Sequence, residues 1–367
     1  MATPRLLRRM NAQRVLDALR VTDSMRVTEL VATTGLSRPT VDAVADDLVR
    51  LGWLSEVSGS LGARGRPARS LTFRADAGYV FGVDIGEAKV RTAVADLRGE
   101  IVAERVREFA GEERLDVTRR VIAATLSDAG VHREQLLFSC VACTGAMNTP
   151  RGRVLFSSVF EDDFDLAGAF AGSLGEALLI ENDCNVAVIG ERWRGAAQGV
   201  DDVVCVLAGE RIGAGIMIGG VLMRGHEGAA GELSFLGAFE EEHGARGIAQ
   251  LVRELSGESP EAVFTAAGAG DEEALEIVER AERWASHGIV TVAQLVNPEV
   301  VVISGGVARA GEVLLAPLRA RMERMVRRPP RLAASPLAER GPLIGAIRLA
   351  LDELEPQLLA GLEEAAA

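Results

Sequence analysis

Residues 11–73, NAQRVLDALRVTDSMRVTELVATTGLSRPTVDAVADDLVRLGWLSEVSGSLGARGRPARSLTF, contain the pattern that decides the fold of the N-terminal region. Apolar residues recur at helical spacing in three blocks of this stretch. Gly35 ends the second block, Ser37 is placed to cap the third, and Pro39 lies in its first turn, where a missing N–H costs little. Two helices joined by a short glycine turn predict a helix-turn-helix, and the segments WLSEV and RSLTF predict two wing strands.

The third helix of this pattern is expected to lie in the major groove of DNA, as recognition helices do. We expect Ser37, Arg38 and Thr40 to lie near base edges or phosphates, because they occupy the start of that helix. Pro39 in the same turn and Thr28 on the preceding helix complete the predicted contacts of the helices.

The wing contains a second DNA signal, ARGRPA at residues 63–68. A narrow A·T minor groove attracts inserted arginine, which Arg64 and Arg66 would supply. Gly65 lets the backbone approach closely, and Pro67 holds the segment extended. A solvated linker is the alternative interpretation, but the position directly behind a helix-turn-helix favours minor-groove contact.

Charge divides the chain into two parts. Residues 1–74 hold 12 Arg and 7 Asp or Glu, a net charge of +5, whereas the whole chain has −13, which leaves −18 for residues 75–367. An acidic body repels the phosphate backbone, so we expect nucleic acid to contact only the N-terminal part. Acidity also promotes solubility, which is the simpler explanation of the same charge.

Composition predicts a globular α/β protein of two or three domains, with 367 residues, 48% hydrophobic residues and 40 Gly. The N-terminus has no apolar signal region, and no apolar run is long enough to span a membrane. Four cysteines fit a reducing cytosol, so we expect a cytoplasmic protein. Cys140 and Cys143 form a C-x-x-C, but strand alternation puts them on opposite faces, which argues against a redox or metal role.

The remainder of the chain repeats one pattern. Residues 78–109 predict three strands with tight turns, and residues 203–223 restart that pattern after an intervening series of helices and strands. Helices are expected near residues 115–129, 166–174 and 258–296, and a last helix contains GPLIGAIRLALDEL. The repetition predicts a duplicated α/β lobe.

The predicted domains follow from these patterns. They are a winged helix-turn-helix at residues 1–76, a first lobe at 77–197, and a second lobe at 198–349, with a C-terminal helix at 350–367 that packs on the first lobe.

Five segments, in this order, resemble the ROK family (repressor, open reading frame, kinase): GRPA, GVDIG, ENDCNVAVIGE, GAAGELSF and VVISGGVA. The resemblance covers nearly the whole chain and is to the regulator branch, which has an N-terminal winged helix. It implies an α/β fold: the winged helix-turn-helix followed by a two-lobed actin-like sugar-kinase body, with a cleft between the lobes.

The phosphate loops depart from the family pattern. The first loop of active kinases reads Asp, an apolar residue, Gly-Gly-Thr-Lys, but here Glu87 replaces the second glycine and Ala88 the threonine. The second loop reads Gly-Thr-Gly, but here Arg211 replaces its last glycine. A like-charge contact at roughly 4 Å costs about 1 kcal/mol in water and about 4 kcal/mol at an effective dielectric near 20. We therefore expect no ATP cofactor and no catalytic residue.

The two charged replacements have opposite signs. We predict that Glu87 and Arg211 approach each other across the cleft and occupy part of the space that ATP would fill. Independent drift after loss of kinase function is the alternative explanation.

The family's sugar-binding residues, which define the sugar side of the cleft, are partly retained. The resemblance assigns sugar binding to Asn182, Asp183 and Glu232, and Asp183 would be the general base if the chain were a kinase. A helix cap is the alternative role for Asn182 and Asp183. Gln250 stands where the family has a further sugar-binding Glu, so an altered pocket and a sugar derivative are expected.

No structural zinc is expected. The family's zinc-binding His is replaced within Ser234-Phe235, and the cysteine-rich run is replaced by EEHGARGIAQ. Glu241 and His243 remain, but two ligands do not make a tetrahedral site.

The leading hypothesis is a sugar-responsive transcriptional regulator, a repressor, whose partners are operator DNA and a sugar effector. We expect a homodimer or higher homo-oligomer, because helix-turn-helix proteins bind paired half-sites. The alternatives are a bifunctional sugar kinase with a DNA-binding head, and a regulator that has lost ligand control, which Phe235 favours.

Overall fold

The computed structural model describes residues 4–57, 69–233 and 246–364. The N-terminal part, called the head below, is three helices and a small sheet in which β3 pairs antiparallel with both β1 and β2. Its elements are α1 (Pro4–Arg20), β1 (Met25–Arg26), α2 (Val27–Thr34), α3 (Arg38–Arg50), β2 (Leu54–Val57) and β3 (Ser70–Phe73).

The predicted caps form the helix-turn-helix. Gly35 ends α2 with a φ of 68°, in the left-handed region that favours glycine. Ser37 caps α3, since its Oγ accepts the N–H of Thr40 at 3.3 Å, and Pro39 lies in the first turn. The helix-turn-helix and both wing strands are confirmed. β1 was not predicted, because two residues are too few to show strand alternation.

The rest of the chain, called the body below, begins with a five-stranded sheet of order β11-β7-β4-β5-β6 and a small sheet of order β10-β9-β8. The elements are β4 (Tyr79–Ile85), β5 (Lys89–Asp96), β6 (Ile101–Glu108), α4 (Arg114–Ala129), β7 (Leu136–Cys143), β8 (Ala146–Asn148), β9 (Arg153–Phe156), β10 (Phe164–Asp165), α5 (Leu166–Phe170), β11 (Leu178–Asn182) and α6 (Asp183–Arg194).

A second five-stranded sheet, of order β14-β13-β12-β15-β16, follows. The elements are β12 (Val203–Ala208), β13 (Ile212–Ile218), β14 (Val221–Leu222), α7 (Ile248–Ser256), α8 (Pro260–Gly268), α9 (Glu272–Val296), β15 (Val300–Ser304), α10 (Glu312–Met325), β16 (Arg331–Ala334) and α11 (Gly341–Glu364).

The two large sheets share one topology. Each sheet begins with three consecutive antiparallel strands. A fourth strand then pairs parallel with the first of these three, and a fifth pairs parallel with the fourth. The predicted duplication of an α/β lobe is therefore confirmed. Because the parallel strands of a sheet end at the same edge, loops from both sheets can form one cleft.

The helical region predicted at residues 258–296 is confirmed and consists of two helices, α8 and α9. They are separate because Gly270 has a φ of 89° and Asp271 starts a new helix by accepting the N–H of Ala274 at 2.9 Å. One helix prediction was wrong in extent. The helix expected near 166–174 ends at Phe170.

Helix α11 joins the head to the body. It begins at Gly341, packs along α6 and covers β4 and β7 of the first sheet, and its distal part contacts α1. A Cβ on Gly345 would lie 1.6 Å from the carbonyl oxygen of Val186, so only glycine permits this close approach to α6. We propose that the whole of α11 belongs to the first lobe, which moves the limit of the second lobe from residue 349 to 340.

The apolar core lies on both faces of the first sheet. Cys140 packs in the cluster beneath α6 and α11, and Cys143 packs in the cluster beneath α4. The alternation predicted for this strand is confirmed. Within residues 4–57, 69–233 and 246–364, no helix has the length and apolar character needed to cross a membrane.

Candidate functional site

A cleft of about 700 Å³ is lined by residues from both large sheets. From the first sheet come the ends of β4 and β11, with Asp84, Asn182 and Asp183. From the second sheet come the turn between β12 and β13 and the turn after β15. Glu232 also lines the cleft. The cleft thus lies at the carboxyl ends of parallel strands, where α/β proteins bind ligands.

Asn182 both caps helix α6 and lines the cleft. Its Oδ1 caps α6 by accepting the N–H of Asn185 at 3.0 Å, while its Nδ2 donates to the carbonyl of Gly145 at 2.8 Å and to Glu232 Oε1 at 3.4 Å. The capping interpretation and the contact with Glu232 are therefore compatible, since they use different atoms. The structure brings Asn182, Asp183 and Glu232 together in one cleft.

The carboxylates of the cleft crowd one another. Burial, with the charge of Glu232, raises the pKa of Asp183 to about 6. Burial raises the pKa of Asp84 to about 7, although Arg91, at 3.3 Å, opposes the shift. Burial also raises the pKa of Glu232, and the charge of Arg211 opposes it. Such carboxylates can accept hydrogen bonds from sugar hydroxyls and are electrostatically unfavourable to anions.

The two changed phosphate loops meet. Glu87 Oε1 accepts from Arg211 Nε at 2.8 Å and from Ser158 Oγ at 2.6 Å. The predicted approach of Glu87 and Arg211 is confirmed. Ala88 lines the cleft beside them, without a hydroxyl to offer a phosphate. The carboxylate and guanidinium link the turn after β4 to the turn after β12, so they connect the two sheets across the cleft.

The predicted DNA contacts of the helices lie at the starts of α2 and α3. Thr28, Ser37, Arg38 and Pro39 are exposed, and Thr40 is half-buried with its hydroxyl 2.7 Å from Ser37 Oγ. Arg64 and Arg66 lie outside the described residues.

Arg69 was missed by sequence reasoning. Its guanidinium lies 2.6 Å from Asp46 and 2.7 Å from Glu56, and 3.8 Å from Asp42. Asp42 and Asp46 are α3 carboxylates that would otherwise repel a phosphate backbone. The contacts of Arg69 form only when the start of β3 lies beside α3, so the sequence alone showed no more than the basic character of this residue.

Comparison with known proteins decides the family. Residues 80–353 match the model of the ROK family, and residues 10–58 match that of the IclR helix-turn-helix domain. The chain belongs to the ROK family. The family and fold predicted from the sequence are confirmed: a winged helix-turn-helix and a two-lobed actin-like ROK body.

Two ROK relatives show how the chain compares in sequence. It is 30% identical to the glucokinase of Thermotoga maritima over 305 residues, which cover 73% of this chain and 95% of that protein. It is 23% identical to the xylose repressor of Caldicellulosiruptor bescii over 354 residues, which cover 87% of this chain and 88% of that protein.

Two ROK structures show the fold. A transcriptional regulator described as a homolog of the E. coli MLC protein superposes with a TM-score of 0.77 at 19% identity, covering 98% of this chain and 99% of that one. A glucokinase from Streptomyces griseus, in complex with glucose and AMPPNP, superposes with a TM-score of 0.66 at 26% identity, covering 75% of this chain and all of that one. The ROK fold with a head therefore extends over nearly the whole chain.

Other charged groups of the ROK cleft are also paired. Arg253 donates to both oxygens of Glu210 at 2.9 Å, and Arg309 pairs with Glu339 at 2.5 Å. These pairs, and Ser158, were missed because each joins segments that are distant in sequence. Gln250 donates to Glu254 at 3.0 Å and does not line the cleft.

The metal prediction stays a prediction. The described ranges, 4–57, 69–233 and 246–364, contain no cluster of three or more His, Cys, Asp or Glu side chains that could hold a metal ion. Ser234, Phe235, Glu241 and His243 lie outside them.

Proposed function

We propose that this ROK protein is a transcriptional repressor whose affinity for operator DNA changes when a sugar or sugar derivative binds the cleft, and that it does not phosphorylate the sugar. The observation that carries the proposal is the pair Glu87–Arg211, 2.8 Å apart, on the nucleotide side of a cleft that retains Asn182, Asp183 and Glu232. The described cleft contains acceptors for a sugar, and we propose that the Glu87–Arg211 pair occupies part of the space that a phosphate would fill.

The head supports the DNA-binding half of the proposal. The exposed start of α3 presents Ser37 and Arg38 for the major groove. Arg64 and Arg66, which lie between β2 and β3 in the sequence, are the residues that we propose for a minor groove. The relation to xylose repressors along most of the chain supports repression as the outcome. Paired half-sites favour a homodimer or higher homo-oligomer.

Helix α6 supports coupling between the cleft and the head. It starts at Asp183 in the cleft and ends beside the turn between β5 and β6. There, Gly99 has a φ of 81°, and a Cβ on it would lie 2.5 Å from the Trp193 ring, so helix and turn are in direct contact. Arg194 also donates to Glu100 at 2.6 Å.

The same turn holds the head. Arg98 donates to the carbonyl of Thr22 at 2.7 Å, directly after α1, and the N–H of Leu97 donates to the carbonyl of Ala75 at 3.0 Å. A displacement of α6 on ligand binding would therefore reach α1 through one turn.

Helix α11 provides a second connection to α1. Glu355, near its distal end, accepts from Gln13 Nε2 at 2.5 Å and from Arg20, both on α1. Leu354, Leu358 and Leu359 of α11 belong to the same apolar cluster as the core of the head. Because α11 packs on α6, both connections begin at the helix that Asn182 caps and that starts at Asp183.

A two-step experiment tests this function. A DNA site is first selected by the purified full-length chain from random-sequence duplexes, and its affinity is then measured by fluorescence anisotropy with and without D-glucose or D-xylose. We expect a bound sugar to weaken DNA binding about 5- to 150-fold, the usual range of coupling. Binding of a sugar with no change in DNA affinity, or no selectable DNA site, would contradict the proposal.

A bifunctional kinase is the second candidate, and the 30% identity to a glucokinase supports it. Asp183, with its pKa near 6, has the properties of a general base. A coupled assay of ADP release on glucose and xylose distinguishes the two, with Asp183→Asn as the matched control. Turnover that Asp183→Asn removes would establish the kinase and reject the sensor.

A further inference from the structure

The described part of the cleft is rich in acceptors and poor in free cations. Arg91, Arg211, Arg253 and Arg309 each contact a carboxylate, which leaves their charges largely neutralised. Lys89 also lines the cleft, where its charge acts on Asp84. Asp183 and Glu232 have no arginine hydrogen bond among the described residues. A ligand that supplies hydroxyl or ammonium donors therefore matches this cleft, and an anion does not.

Glu87 adds one more acceptor. Both of its donors, Arg211 Nε and Ser158 Oγ, converge on Oε1. No donor among the residues described by the structure reaches Oε2, while the side chain lines the cleft and is about 29% exposed. The bond to Arg211 holds the carboxylate in place and leaves its second oxygen available to a ligand.

Glu87 lines the same cleft as the sugar-side residues Asn182 and Glu232. Arg211, which contacts Glu87, also acts electrostatically on Glu232, and Glu232 contacts Asn182. A ligand seated against Asn182 and Glu232 therefore lies in the same cleft as Glu87. A phosphate or carboxylate on the ligand at that end would meet Glu87, Asp183 and Glu232, whose repulsion in a partly desolvated cleft is stronger than in water.

We propose that Glu87 is a specificity-determining residue: it accepts a donor of the effector and excludes sugars that carry phosphate or carboxylate groups. The effector class is thus an uncharged sugar or an amino sugar. This inference rests on the proposed function, because it concerns the ligand of the same cleft.

The test measures binding to the full-length chain by isothermal titration calorimetry. The probes are D-glucose, D-xylose and D-glucosamine, each compared with an anionic partner: glucose 6-phosphate, xylose 5-phosphate and glucuronate. Glu87→Gln removes the charge but keeps an acceptor for Arg211 and Ser158. Glu261→Gln is the matched control, because it removes a carboxylate from another wall of the same cleft.

We expect the wild-type chain to bind at least one uncharged or amino sugar 10-fold or more tightly than its anionic partner. Glu87→Gln should reduce that ratio to below about 3-fold, and Glu261→Gln should leave it unchanged. An anionic partner that binds wild type as tightly as the neutral sugar, a ratio that Glu87→Gln does not alter, or no binding of any probe would overturn the inference. Selective binding of a neutral sugar without any effect on DNA affinity would instead contradict the proposed function and leave this inference standing.

Discussion

The sugar side and the nucleotide side of the cleft differ in how their charged groups are satisfied. On the sugar side, Asp183 and Glu232 have few protein partners and raised pKa values. On the nucleotide side, Glu87 pairs with Arg211, and Glu210 with Arg253. The first side keeps more unmet hydrogen-bonding capacity for a ligand, whereas the second uses most of its charges within the protein and leaves Oε2 of Glu87 available. Under the proposed function, this difference would allow a ROK body to bind a sugar without binding a nucleotide.

The largest expected effect is on the sugar side. Asp183→Ala removes a half-buried acceptor, and such hydrogen bonds to charged groups contribute about 1.5–3 kcal/mol. We expect the Kd for the effector to rise about 10- to 100-fold, measured by calorimetry with D-glucose or D-xylose. Arg253→Gln, a change on the nucleotide side, should leave that Kd within about 3-fold. Equal losses in both variants would remove the distinction between the two sides.

The second prediction concerns how ligand binding in the cleft changes the DNA affinity of the head. Arg98→Ala breaks the hydrogen bond to the carbonyl of Thr22 and should leave sugar binding intact. The ratio of DNA affinities without and with sugar should fall at least about 5-fold, since one of the two connections to α1 is lost. Anisotropy titrations measure this ratio. Arg105→Ala is the control, because it breaks an exposed pair between Arg105 of the same sheet and Asp128 of α4. An unchanged ratio in Arg98→Ala would exclude the turn as a connection.

The third prediction uses the pKa of Asp183. Its folded pKa of about 6 exceeds the ordinary 3.8, so the unfolded chain loses its proton first and this group destabilises the fold as pH rises from about 4 to about 6. Asp183→Asn should therefore raise the free energy of unfolding by about 1–2 kcal/mol at pH 7.5, a value reduced for partial exposure. Denaturant titrations should show the gain disappear near pH 4. A gain independent of pH would reject this cause.

The smallest effect is expected on the nucleotide side. Arg211→Gln breaks the half-exposed pair with Glu87, whose contribution should be about 0–1 kcal/mol. Denaturant titrations at low and high salt measure it, and salt should reduce the difference from wild type. A loss above about 2 kcal/mol would mean that the pair is essential to the fold.

Much of the fold was predictable because its signals act over a few residues. Gly35, Ser37 and Pro39 specify the helix-turn-helix through their own backbone preferences and caps. Strand alternation placed Cys140 and Cys143 on opposite faces correctly. The division of residues 258–296 into two helices was missed, because Gly270 and Asp271 interrupt an apolar pattern that continues on both sides.

The candidate site was only partly predictable. The family resemblance named Asn182, Asp183 and Glu232, and it placed the two phosphate loops opposite each other, which made the pair of Glu87 and Arg211 foreseeable. The third partner, Ser158, lies in a stretch without a recognisable pattern, 71 residues from Glu87.

By itself, the sequence determined the head, the duplicated lobes and the loss of the phosphate-loop glycines, because each of these features depends on residues that are close together in the sequence. Only the tertiary structure decided which charges meet and how the head is held. Gln13 and Glu355 are 342 residues apart, and Arg98 and Thr22 are 76 apart, so their contacts exist only once α11 and the first sheet have packed. Ion pairs and hydrogen bonds act over a few ångströms, and sequence separation carries no information about such distances until the core has brought the segments together.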